Sequence, residues 1–304
     1  MTMIVGYAPD ERGKSAVHLA AMLSRASGDD VVVCAVVPAP WLPGMARVDA
    51  EYQAYLDTVA DRALDEARAL VPDDIATTFV RHRARSSPAG LLEVAEEHAA
   101  NLVVLGSSSA GVFGHVALGS VSDRLLHSSP ISVALAPRGF RCRAGSTVER
   151  VTAAYDGSEH ADTLVVAAAD IASRLGVPLR IASFAVWSRV AYTSQLGTEP
   201  EDLVLHEWTA TMGERLHEVH NQVGALPTPP RDVDTVVGHG ESWASAIDDV
   251  AWLDGDVLVV GSSAIGPLAQ VFLGSRATKI LRHSPVPVIL VPRGRAEELA
   301  GKAG

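Results

Sequence analysis

NLVVLGSSSAGVFGHVALGS, residues 101–120, returns as DVLVVGSSAIGPLAQVFLGS, residues 256–275. Gly106 matches Gly261, Gly119 matches Gly274, Pro130 matches Pro285 and Arg138 matches Arg293, each pair offset by 155 (261 − 106) with no gap needed. A fixed internal period marks a repeated structural unit. The openings of the two halves repeat more loosely, IVGYAPDERGKSAVHLAAML against TAAYDGSEHADTLVVAAADIA, with Tyr7 opposite Tyr155. Within each half, short β-branched runs alternate with longer helical patterns, as in βαβ units with a parallel sheet. The chain thus reads as two tandem doubly wound α/β domains, each a five-stranded parallel-type sheet flanked by helices. Its 304 residues leave room for two cores of ordinary size.

In the first half the pattern predicts strands near 3–7, 31–37, 77–82, 102–106 and 132–136. Helices are predicted near 12–27, 50–70, 87–99 and 120–128, the first with an inward face of Val17, Leu19, Met22 and Leu23. The second half repeats the order, with strands near 150–155, 179–186, 233–237, 257–260 and 287–291 and a long helix near 200–223. The polar segment RGFRCRAGSTVER, 138–150, separates the halves. We divide the chain into domains at 1–140 and 148–294, a linker at 141–147 and a tail at 295–304.

A formal net charge of −11 argues against general affinity for nucleic acid or an anionic membrane, so an anionic ligand must be held locally. No apolar run reaches the length of a membrane span, and the opening MTMIVGYAPD lacks a signal-type pattern, so a cytoplasmic location is expected. Cys34 and Cys142 make neither a disulfide framework nor a cysteine metal set.

Open parallel sheets bind ligands at the carboxyl ends of their strands. Two segments per half reach that edge: the turn after strand 1, and the loop after strand 4 that runs from Gly106-Ser107-Ser108-Ser109 to Gly119-Ser120. Glycine lets backbone approach an anion, and the free N–H groups of a helix start attract negative charge. Gly119-Ser120 and Gly274-Ser275 stand at such starts. Their hydroxyls can cap the helix or bond a phosphate oxygen, and the sequence leaves both open.

The loop spacing resembles the G-x2-G-x9-G-[ST] loop through which universal stress proteins bind ATP. Gly106, Ser109 and Gly119-Ser120 fill it once, and Gly261, Ala264 and Gly274-Ser275 fill it again. HSSPISVALAPRG and HSPVPVILVPRG are similar to that family's last turn and strand, and the likeness covers nearly the whole chain. The resemblance implies an adenine-nucleotide α-hydrolase-like, Rossmann-type fold and a regulator in the stress response rather than an enzyme. It implies ATP or another adenine nucleotide as ligand, with magnesium accompanying ATP.

Carried over residue by residue, it puts Val36 or Ala185 beside adenine. Phosphate contacts then fall on Gly106, Ser107, Ser109, Gly119, Ser120, Val121 and Ser122, or on Gly261, Ser262, Ala264, Gly274, Ser275 and Arg276. The chain departs from the pattern at the second glycine, which is Ser109 in one half and Ala264 in the other. An aspartate that holds the nucleoside is expected after strand 1; Asp156 supplies it in YDGSEH, whereas YAPDER offers Ala8 and Pro9. Asp156 also suits an Asx turn in Asp-Gly-Ser. Binding is expected in the second half if in only one.

Other readings follow from the departures. The same fold can serve as an interaction scaffold without nucleotide. An adenylylating enzyme would need an SGGxDS-type motif after strand 1, which is absent. The run from Ala8 to Gly13-Lys14-Ser15 imitates a loose P-loop, but Pro9 lacks an N–H and Asp10 and Glu11 repel phosphate, so Lys14 reads as a solvated helix residue. His217 and His220 share a helix face without a third ligand, and His239, in GHGES, reads as a loop residue at the ligand edge. The apolar last strands SVALAP and PVILVP are edge strands that need cover. Family members dimerise through that strand, which implies an intrachain pseudo-dimer, a homodimer built on it, and an unnamed regulatory protein partner.

Overall fold

A computed structural model describes residues 2–39, 46–187, 199–262 and 274–303. The first half runs β1 (Thr2–Gly6), α1 (Glu11–Ser27), β2 (Asp30–Pro38), α2 (Ala46–Arg68), β3 (Thr77–Ala84), α3 (Ser87–Glu97), β4 (Leu102–Gly106), α4 (Ser120–Ser128) and β5 (Ser132–Ala136). The second runs β6 (Arg150–Ala154), α5 (Glu159–Leu175), β7 (Leu179–Val186), α6 (Glu199–Gly224), β8 (Val233–Gly240), α7 (Trp243–Asp248), β9 (Asp256–Gly261), α8 (Ser275–His283), β10 (Val288–Val291) and α9 (Arg293–Ala303).

Local sequence sets the element ends alike in both halves. The Asp10 carboxylate caps α1 by accepting from the N–H groups of Arg12 and Gly13, and Ser158 caps α5 through Ala161 N–H. Both helices stop at a left-handed glycine, Gly28 at φ +72 and Gly176 at φ +66, where a side chain would be strained. The strands are buried on both faces because the side chains alternate: Met3 and Val5 enter one core, Ile4 the other.

The ten strands form one sheet in the order β3-β2-β1-β4-β5-β10-β9-β6-β7-β8. Every pairing is parallel except the central one, where β10 runs antiparallel to β5 with Val288 opposite Leu135, Ile289 opposite Ala134 and Leu290 opposite Val133. The edge strand of each half thereby covers that of the other, and Leu135 and Val288 are fully buried. The two halves share both cores, since residues of β5, α4, β10 and α8 pack in a single cluster.

Two stretches differ from the sequence reading. Residues from 295 onward, expected as a tail, belong to α9, which packs on α5 and buries Ala296 and Leu299. The helix starts just after Pro292, whose carbonyl accepts from Ala296 N–H. The β8 strand runs on to Gly240 because pairing with β7 continues past Val237 through Phe184–Gly238 and Val186–Gly240. The linker lies along α1: Arg141 bonds Ser15 and Glu11, the Cys142 thiol donates to the His18 carbonyl at 3.3 Å, and Arg25 reaches the Ser146 carbonyl at 3.2 Å.

Thr152 in β6 is fully buried, and its hydroxyl has no partner among the described residues. Aligning Tyr155 with Tyr7 puts Ile4 at this position in the first half, also fully buried. An unpaired buried hydroxyl costs more than a methyl of the same shape. Thr152→Val is expected to raise stability by about 1 kcal/mol, read as a higher midpoint in urea unfolding; a lower midpoint would mean the hydroxyl has a partner.

Candidate functional site

The carboxyl ends of β1 and β4 in the first half, and of β6 and β9 in the second, carry the expected ligand residues, and the two crevices are built differently. In the first half the β4 end lies hard against the opening turn of α1. A Cβ on Gly106 would fall 2.1 Å from the Arg12 carbonyl oxygen, so glycine is needed there for the chain's own packing.

The loop that follows is closed on itself. Ser107 is buried, and its hydroxyl donates to the Ala136 carbonyl at 2.6 Å and accepts from Ala117 N–H at 3.1 Å. Ser108 N–H bonds the Ala117 carbonyl at 2.8 Å, and Arg138 donates to the Gly111 carbonyl. Ser122, also buried, turns back on the start of α4, accepting from Gly119 N–H at 2.8 Å and donating to the Gly119 carbonyl at 3.1 Å. The bonds of these two hydroxyls close the loop and brace the start of α4. Ser109 and Ser120 are exposed, whereas Val121 is half-buried against the core.

Gly119 differs from Gly106. Its φ is −110°, open to any residue, and a Cβ would meet only Ser108, at an ordinary 3.5 Å. No described contact within the chain demands glycine at that helix entrance. Opposite it, the β1 turn gives Ala8 and Pro9, and the nearest acid, Asp10, is held by α1 and by its own Arg12. Those contacts also dispose of the P-loop imitation, because a carboxylate already occupies the N–H groups that would cradle phosphate. Lys14 pairs with Glu11 at 2.9 Å on the surface.

In the second half, Asp156 stands two residues past the end of β6, after Tyr155. Its Oδ1 accepts from the Ser158 N–H at 3.1 Å and the Ser158 hydroxyl at 2.7 Å, an Asx turn that leads into α5. Its Oδ2 looks the other way, 3.6 Å from Nη1 of Arg276. Arg276 is the second residue of α8, so the geometry brings the strand 1 acid and the phosphate end of the loop to opposite sides of one crevice. Both side chains stay solvent-accessible, at 46% and 68% exposure. Gly274 at φ −58° leads into the helix and Ser275 is exposed at its first turn.

Gly261 is half-buried. Ser262 repeats the role of Ser107: its N–H bonds the Val291 carbonyl at 3.2 Å and its hydroxyl accepts from Arg293 N–H at 3.1 Å. Ala264 lies outside the described residues. The adenine candidates sit on matching strands, Val36 half-buried against α3 and Ala185 buried on β7. Beside the crevice, the buried Tyr155 hydroxyl donates to Asp162 at 2.8 Å. Burial first, and that hydrogen bond next, push its pKa well above the usual phenol range, so it stays a donor.

His239 is part of β8, not a loop. Its backbone N–H bonds Asp249 at 2.9 Å, and its ring lies 6.2 Å from that of Trp187 with the two planes tilted by 60°, a neighbour the sequence does not flag. Among the described residues no group of three His, Cys, Asp or Glu side chains could hold a metal ion. The Asp156–Arg276 contact is the feature sequence reasoning missed; the joint presence of the two residues in one half and joint absence in the other was its only trace.

The profile of the universal stress protein family matches residues 1–137 and again 147–292. The chain is 38% identical over 296 residues to a universal stress protein of Mycobacterium tuberculosis, covering 96% of this chain and 100% of the relative. A universal stress protein of Mycolicibacterium smegmatis is 28% identical over 268 residues, covering 86% of this chain and 85% of the relative. Among solved structures, a universal stress protein from Archaeoglobus fulgidus superposes with a TM-score of 0.57 at 18% identity, covering 96% of this chain and 98% of that one. Two matches to one family profile, and a full-length relative at that identity, establish that the chain belongs to the universal stress protein family, with two domains in tandem.

Proposed function

We propose that the second half binds ATP or another adenine nucleotide in the crevice between the end of β6 and the start of α8, and that the chain acts in the cytoplasm as a stress-response regulator whose occupancy alters its shape or its partners. The observation that carries this reading is the 3.6 Å approach of Asp156 to Arg276 across the crevice. Asp156 Oδ2, left free by the Asx turn, accepts a nucleoside hydroxyl; Arg276 and the N–H groups at the start of α8 take the phosphates. Ala185 lines the adenine side. We assign the chain no chemical step. Among the described residues no helix is long and apolar enough to cross a membrane.

Asp156→Ala is expected to weaken ATP binding about tenfold, the worth of one charge-assisted hydrogen bond, as measured by equilibrium dialysis. Asp156 is on the surface, so its circular dichroism spectrum should not change. An unaltered affinity would remove the acid from the site.

A second reading, an interaction scaffold that needs no nucleotide, draws on the buried or internally bonded hydroxyls of Ser107, Ser122 and Ser262. Failure of the intact protein to bind any adenine nucleotide would select it.

A further inference from the structure

The two charged residues that face the second crevice are also each other's partners. Asp156 is divided between two tasks: Oδ1 holds the turn through Ser158, while Oδ2 points at the Arg276 guanidinium 3.6 Å away. In the first half the matching positions are Ala8, opposite Asp156 by the Tyr7–Tyr155 alignment, and Val121, 155 residues before Arg276 (276 − 155). Both members of the pair are present in one copy of the domain and both are missing from the other. Neither is needed for the strand and helix that flank the site, because the first half builds both without them.

We propose that Asp156 and Arg276 form a charge latch that makes the second crevice select adenine compounds carrying phosphate against the bare nucleoside. This rests on the adenine-nucleotide site proposed above and gives it a specificity-determining residue, Arg276. A neutral nucleoside seeking Oδ2 as an acceptor must displace a guanidinium and can offer that guanidinium no anionic acceptor in return. A nucleotide supplies phosphate oxygens of higher charge and matching bidentate geometry, so Arg276 exchanges its carboxylate for a phosphate. Oδ2 is then released to the sugar hydroxyls. The exchange is an ionic one at an exposed site, so the opening cost is small and falls with salt. The selectivity therefore comes chiefly from the new phosphate contact, with a smaller part from the latch itself.

The test compares adenosine and ATP on the full-length chain by isothermal titration at low salt, for the unaltered protein, Arg276→Ala, Arg276→Lys and Arg276→Ala with Asp156→Asn. Arg276→Ala is expected to weaken ATP about tenfold or more and to tighten adenosine about two- to fivefold, the worth of an exposed ion pair. Arg276→Lys should keep the charge, lose the fork and fall between. The double variant should lose the adenosine gain, since the freed acceptor is gone. If Arg276→Ala weakens both ligands equally, the latch is wrong and the site reading stands; if it changes neither while the unaltered protein binds ATP, the latch is wrong and Arg276 leaves the site with it. If the unaltered protein binds neither ligand, the site reading fails and takes the latch with it.

Discussion

Arg150→Ala is expected to lower the stability of the chain by about 3–5 kcal/mol, the cost of stranding a buried charge. Asp256, at the start of β9, is completely buried, and Arg150, at the start of β6, is 12% exposed and grips it with two hydrogen bonds, one of them 2.9 Å from Nε to Oδ1. The same carboxylate accepts from Leu253 N–H at 2.9 Å, and Arg150 also donates to the Ala251 carbonyl at 3.0 Å, so the pair anchors the turn that delivers β9 to the sheet. Removing the arginine leaves the carboxylate with one backbone donor. Replacing both partners at once, as Arg150→Met with Asp256→Leu, should recover most of the loss, because no charge is then left buried. Urea unfolding of the three proteins checks this; equal midpoints for Arg150→Ala and the unaltered chain would show that Asp256 is held by other groups.

Leu135→Asp is expected to cost more than about 4 kcal/mol, since it places a carboxylate in a sealed apolar core. Leu135 is fully buried in β5, opposite Val288 of β10, on the strand pair that joins the two halves. Leu135→Ala, which only deletes volume, should cost about 2–5 kcal/mol. The aspartate variant should also expand in solution as the ten-stranded sheet parts at its centre, a change visible in the small-angle scattering radius. A compact, stable Leu135→Asp protein would contradict the central pairing.

The fold could be read from the sequence because its signals are local or periodic. The fixed offset in the glycine loops identifies the repeat, and short β-branched runs alternating with longer helical patterns mark the parallel sheet. The α9 helix was hidden because its polar, glycine-containing run RGRAEELAGKA shows few apolar positions, and only its packing on α5 gives Ala296 and Leu299 something to bury against.

The site was legible in its parts and not in its arrangement. Loop spacing placed Gly106, Gly119, Gly261 and Gly274 correctly at their strand and helix ends. Whether a hydroxyl faces outward or closes a loop depends on the path of the backbone, so Ser107 and Ser122 could not be assigned in advance. The contact between Asp156 and Arg276 joins residues 120 positions apart (276 − 156), and no spacing rule reports such a pair.

The proposed nucleotide site in the second half is tested most directly by native mass spectrometry of the full-length chain with ATP. The account gives one ATP per chain, its apparent affinity unchanged when Gly119 is changed to alanine in the first half and lowered about tenfold when Asp156 is changed to alanine in the second. A chain that binds no ATP, or one whose single ATP is unaffected by Asp156→Ala and weakened by Gly119→Ala, would contradict it.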